Sequence, residues 1–168
     1  MMKSETRILN ALDRAVSSTP VRKRITAIIR RVERKLRASP EAALAWEPIP
    51  LNLYPEPLPE GIRSSWVFIL RADTTTGAER HPNSHQRMMS YRGSGDFQTR
   101  RTGRWRPHPL TSDPAAAVAE RWISIPPGVW HQGVVPAEDW VVVSFHTVPE
   151  EELIEERPAA SPREGPRR

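Results

Sequence analysis

Apolar residues recur at helical spacing over the first forty positions and at alternating spacing after about residue 64. The first pattern predicts helices over 5–17 and 20–37. In the second, Thr19 is a candidate N-cap and Pro20 stands at the first helical position. Ile25, Ile28, Ile29, Val32 and Leu36 make one apolar stripe, with Arg and Lys over the remaining surface. Ser39-Pro40 ends that helix. The proline-rich stretch 48–59 predicts an extended linker or edge segment. From there, short alternating runs punctuated by turn residues predict strands near 65–71, 86–92, 95–100, 121–125, 129–135 and 140–148. Asp113-Pro114 followed by alanines predicts a short helix. Many short strands with Gly/Pro punctuation imply an antiparallel sandwich or barrel. The segment from Glu150 is acidic and then rich in Pro, Arg, Ser and Gly; disorder is expected from about 157 onward.

Composition changes this picture in three ways. The 168 residues and 18 prolines fit one mostly non-helical domain with extensions, taken as 1–45, 46–149 and 150–168. The absence of cysteine excludes disulfides and thiolate metal sites, and leaves the cytoplasm as the default location. No run is long and apolar enough for a membrane span. Residues 1–40 hold eleven Lys/Arg against three Asp/Glu, while the whole chain is only +5, so the remainder is net acidic. The basic character belongs to the N-terminal arm, and nucleic acid is not an expected partner of the barrel.

Two clusters carry candidate chemistry. The first runs from Gly77 through Glu79, His81, Asn83, His85 and Gln86 to Gly93; the second is Pro126-Pro127-Gly128-Val129-Trp130-His131. Together they resemble the two motifs of the cupin superfamily. The first family motif is a His-x-His pair, a Glu four or five residues on, and a Gly seven beyond that. Gln86 stands seven before Gly93, at the Glu position, and His81 stands at the second His. The first His position then falls on Glu79. The second motif, Pro-x-Gly-x-x-His, is matched through His131, with Glu120 replacing its leading Gly. The likeness spans about Gly77 to His146.

The resemblance implies an all-β jelly-roll barrel behind a helical N-terminal extension, and a metal site at His81, His131, Glu79 and Gln86. Two imidazoles and a carboxylate form a face suited to Fe(II) oxygen chemistry, and imidazole and carboxylate also suit Mn, Ni or Zn. Gln86 is the poorer ligand, its amide oxygen being neutral. The imidazoles are expected within ~5 Å of one another.

Side-chain alternation adds pocket candidates. If Pro136–Asp139 is a tight hairpin turn, His131 pairs with Ser144, and Trp140, Val142, Ser144 and His146 share its face. Gln86, Met88 and Ser90 share another face, with His85 opposite. His81 and His131 could equally be hydrogen-bonded interior histidines. His85 and His108 read as loop residues, and Trp66, Trp122, Trp130 and Trp140 as core or pocket wall. The leading expectation is a metal-dependent enzyme acting on a small molecule, a dioxygenase being one form. The alternatives are a non-catalytic small-ligand cupin and an interaction protein using its basic arm. A homodimer is a candidate assembly.

Overall fold

The computed structural model describes residues 2–159. Two helices, α1 (Met2–Ser17) and α2 (Thr19–Ala38), precede eight strands: β1 (Leu44–Pro48), β2 (Ser64–Leu70), β3 (Gln86–Arg92), β4 (Ser94–Arg100), β5 (Pro109–Thr111), β6 (Trp122–Ile125), β7 (Trp130–Val134) and β8 (Trp140–His146). The strands form two antiparallel sheets, ordered β1-β2-β8-β3-β6 and β5-β4-β7. The sheets face each other as a jelly-roll barrel.

The larger sheet is buried on both faces, and alternation sorts its side chains. Val67, Ile69, Met89, Tyr91, Val141, Val143 and Phe145 point outward into a core shared with the helices. Leu70, Met88, Ile123, Ile125, Trp140 and Val142 point inward with Phe97 and Val129. The stripe on α2 supplies Val21, Ile25, Ile28, Ile29, Val32 and Leu36 to the outer core, all buried. Burying six such side chains is worth on the order of 10 kcal/mol as an upper bound. The basic arm is therefore part of the folded body. Ion pairs add register: Glu47 of β1 meets Arg31 at 2.9 Å and Lys35 at 3.0 Å.

Helix α1 is tied down by two acids. Glu5 accepts from Arg87 Nε at 2.7 Å and from Ser124 Oγ at 2.6 Å. Asp13 accepts from Arg121 Nη1 at 2.6 Å and from the Trp122 indole at 2.8 Å. Gly95 admits Trp140 against the sheet: a Cβ there would lie 2.7 Å from Trp140 Cδ2, and closer still to two other ring atoms. The indole is fixed by its hydrogen bond to Ser90 Oγ at 2.8 Å.

Several expectations need correction. Residues 44–48 and 109–111 are strands that the pattern did not reveal. Both are edge strands, which have a neighbour on one side only and need less apolar alternation. The short helix expected after Asp113-Pro114 does form, as one turn of helix, α3 (Val118–Arg121). The hairpin pairing of His131 with Ser144 does not form. β7 pairs with β4, His131 lying opposite Thr99, while β8 pairs with β2 and β3. Pro136–Asp139 is thus a crossing between sheets.

The segment after β8 makes a 3-10 turn at Glu150–Glu152 and then runs back along residues 80–83. Glu156 and Arg80 exchange two backbone hydrogen bonds, of 2.9 and 3.0 Å, and their side chains form an ion pair. Apart from 157–159, the disorder expected from about 157 onward falls outside the described residues.

Candidate metal centre

Backbone contacts between the two motif regions assemble the site. Glu79 pairs with His131 as an isolated antiparallel bridge, with N–O distances of 3.0 and 2.9 Å. Two residues on, the His81 carbonyl accepts from the Gly128 amide at 3.0 Å. Gly128 has a φ of 76°. That left-handed conformation favours glycine and lets the Pro-Pro-Gly turn swing the chain into β7. The ligand atoms of Glu79, His81 and His131 all lie within 4.8 Å of one another. Glu79 Oε1 is 3.5 Å from His131 Nε2 and 3.9 Å from His81 Nε2.

Both imidazoles are held in one tautomer. His81 Nδ1 contacts the Ile154 carbonyl at 3.0 Å, and His131 Nδ1 contacts the Val129 carbonyl at 3.1 Å. A carbonyl can only accept, so each Nδ1 carries a proton, and each ring, when neutral, turns an Nε2 lone pair toward the Glu79 carboxylate. His131 Nε2 is buried without a hydrogen-bond partner among the described residues. With both rings neutral, three acceptor atoms converge with no donor between them, an arrangement that calls for a proton or a cation.

Burial acts to raise the Glu79 pKa, but the facing His131, then His81 and Arg157, outweigh it and hold the carboxyl below its ordinary value. Burial and the neighbouring His131 lower the pKa of His81. His146 is pushed well below its ordinary value, mainly by burial and then by His81 and His131. Arg157 Nη2 lies 3.3 Å from Glu79 Oε2.

His146 sits beside this group. Its ring stands edge-on to His81 at 5.0 Å and to Trp66 at 4.7 Å, and its Nδ1 contacts Ser84 Oγ at 3.0 Å. Although β7 and β8 do not pair, His146 reaches the same cavity, because the inward faces of the two sheets look at each other across the barrel. Gln86 is directly opposite His146 in the β3–β8 ladder, and its Oε1 is buried without a partner among the described residues. Met88 lines the cavity beyond it. Trp140, Ser90 and Ser144 do not line it. Trp140 and Ser90 bond to each other, and Ser144 is buried between Trp66 and Met88 in the ladder.

His85 lies on the opposite face, its Nε2 2.6 Å from Ser124 Oγ. His108 is half-buried against Thr99 at 2.9 Å. Trp122 packs under the helices, and Trp130 stacks beneath Arg80 at 4.6 Å.

The cavity has a volume of about 350 Å³. Part of its wall was not legible in the sequence. Leu44 and Trp46 come from an undetected strand, Phe97 from an alternation that assigned a strand but no face, and Glu150, Leu153, Glu155 and Arg157 from the C-terminal strap.

No family model matches the chain, and no curated protein sequence matches it. Solved structures do. The capsular polysaccharide assembling protein CapF from Staphylococcus aureus is 13% identical with a TM-score of 0.53, over 68% of this chain and 32% of that one. An oxalate oxidase in complex with the substrate analogue glycolate is 12% identical with a TM-score of 0.52, over 68% and 55%. The coconut allergen cocosin is 13% identical with a TM-score of 0.52, over 70% and 29%. The chain spans between under a third and just over half of these proteins' lengths. They share one architecture and differ in role, so the likeness concerns the barrel and not the reaction: this chain has the cupin fold.

Proposed function

We propose that the protein is a metal-dependent cupin enzyme acting on a small molecule, its ion held by Glu79, His81 and His131. The observation carrying this reading is the convergence of two pinned Nε2 lone pairs and a carboxylate at one end of a cavity. The donor set fits a first-row divalent ion such as Fe, Mn, Ni or Zn, and leaves coordination positions open toward the cavity. Such an ion, when bound, supplies Lewis-acid polarisation or an open position for dioxygen. The chain's own residues do the rest. The Ile154 and Val129 carbonyls hold the imidazole protons at Nδ1, His146 and Gln86 offer polar contacts beside the site, and the apolar wall excludes water. A dioxygenase-type oxidation is the form we favour, because a face of two histidines and one carboxylate leaves room for both substrate and oxygen.

The test is elemental analysis of protein purified without an affinity tag, before and after incubation with each metal. The expected result is near-stoichiometric retention of one of them, abolished in His131→Ala while the circular dichroism spectrum is kept. Metal that cannot be loaded, or is unchanged in His131→Ala, would overturn the reading.

A non-catalytic, small-ligand cupin is the second reading. Gln86 favours it: where the family motif has a ligating carboxylate, this chain presents a neutral amide whose oxygen is unpartnered. Stoichiometric metal without turnover of any bound ligand would support this alternative.

A further inference from the structure

Beyond the metal group one side of the cavity wall is hydrocarbon and ring. Trp66, Phe68 and Leu70 project from β2, Met88 from β3, Phe97 from β4 and Val142 from β8. Trp46 extends this wall from edge strand β1: it lines the cavity, is 45% exposed, and lies 6.4 Å from Phe68 between ring centres. Glu79, His81, His131, His146 and Gln86 form the polar side. The lining is therefore two-sided, with donors gathered around Glu79 and an apolar wall that runs out to the half-exposed Trp46.

Charge narrows the choice further. Besides the imidazoles, the ionisable lining residues among those described are Glu79, Glu150, Glu155 and Arg157. Glu155 and Arg157 are both substantially exposed and pair with each other at 2.7 Å. Three carboxylates against one guanidinium leave the empty cavity net negative, and a divalent ion at Glu79 brings it to neutrality. Without the ion this field disfavours a small dianion, and with it a neutral or singly charged head leaves the cavity closest to neutral. A dianion as small as oxalate would also leave the apolar wall in contact with water.

We propose that the site takes an amphiphilic small molecule: an oxygen-donor head with no more than one negative charge, on an alkyl or aromatic body that reaches the mouth along Phe68 and Trp46. This deepens, and for the placement of the head rests on, the metal reading above. Substrate choice is made by the β2 ring ladder and Trp46, while the histidines and Glu79 are indifferent to the body. The polar cluster would hold the head whatever it carries, so discrimination grows with the apolar surface buried on the wall.

The experiment is calorimetric titration of the full chain with acetate, butyrate, hexanoate, octanoate and oxalate, in metal-loaded and metal-stripped protein, with metal content measured in each sample. Affinity should rise by about fourfold for each methylene added. In metal-stripped protein, oxalate should bind more weakly than octanoate. Trp46→Ala should weaken octanoate about tenfold or more and leave the shorter acids nearly unchanged; its half-exposed position keeps folding out of question. Equal affinities along the series in both proteins would overturn the proposal, as would tighter binding of oxalate than of octanoate in metal-stripped protein. Because the walls do not depend on the ion, a chain-length dependence that persists in protein unable to retain metal supports the amphiphile reading and removes only the metal one.

Discussion

The carbonyl of Ile154 accepts the Nδ1 proton of His81 at 3.0 Å, across a sequence separation of 73 residues. A segment without apolar periodicity thereby fixes the tautomer of a candidate ligand. The strap is itself anchored by Asn83, whose side chain donates to the Glu152 carbonyl at 2.7 Å and accepts from the Ile154 amide at 3.1 Å. Partners that orient a ligating imidazole typically matter between about tenfold and a hundredfold in metal affinity. Asn83→Ala should therefore weaken metal binding by about that factor, measured by chelator competition, with an unchanged far-ultraviolet spectrum. An unaltered affinity would mean that the strap does not position His81.

Gln86 offers a second test. Replacing it with Glu restores the carboxylate of the family motif, but places it at a buried position 5% exposed. Without a cation the extra charge should destabilise the protein by about 1–3 kcal/mol. With a divalent ion the cost should be reversed, so Gln86→Glu should show a larger metal-induced rise in Tm than the parent. A rise no larger than that of the parent would mean that the Gln86 position does not face the ion.

The histidines set a pH dependence. Burial, the first cause in each case, lowers the pKa values of His81, His85 and His146 from 6.5, with further lowering by His131 at His81, by Arg87 at His85, and by His81 at His146. The unfolded chain then binds more protons than the folded one below about pH 6.5, so stability is fully present above that value and lost as pH falls through the depressed folded values. Urea midpoints measured from about pH 8 down to about pH 5 should decline below about 6.5. The depressed carboxyls Glu5, where burial opposes the Arg87 and Ser124 hydrogen bonds, and Glu79 add their loss only at more acidic pH. A midpoint flat through this range would contradict the burial of neutral imidazoles.

Asp13 tests whether the helices belong to the barrel. It accepts from both Arg121 and Trp122, and the Arg121 side chain is 11% exposed. Asp13→Ala strands a buried guanidinium and an indole N–H. The loss should be about 3 kcal/mol, because a buried cation is left without its partner. Denaturant unfolding should remain a single transition, since α1, α2 and the outer sheet face share one core. A separate early transition for the helices would show them to be an independent arm.

How much of this was legible in the sequence varies with the range of the interaction concerned. The stripe on α2 and the alternation in β2, β3 and β8 are properties of consecutive residues, and the chain encodes which side of each element is apolar. Glu79, His81, Gln86 and His131 came instead from the resemblance to the two family motifs, which is carried by short local spacings. The placement of His146 is instructive. Its face followed from alternation, but the hairpin assumed to bring it beside His131 does not exist. A strand ladder and two facing sheets both bring inward faces together, and alternation cannot distinguish them.

What only the tertiary structure decided is which distant segments meet. The amphipathic stripe of α2 did not specify its partner, because burial of apolar area is non-directional; the complementary outer face of β2, β3 and β8 chose it. The strap was invisible because its attachment uses backbone groups and Asn83, and a backbone amide or carbonyl looks the same at every residue. The tautomers of His81 and His131, and with them the convergence of lone pairs on Glu79, depend on two carbonyls. One lies two residues away in the chain and the other on the far strap, so no pattern of side chains could have revealed the pair.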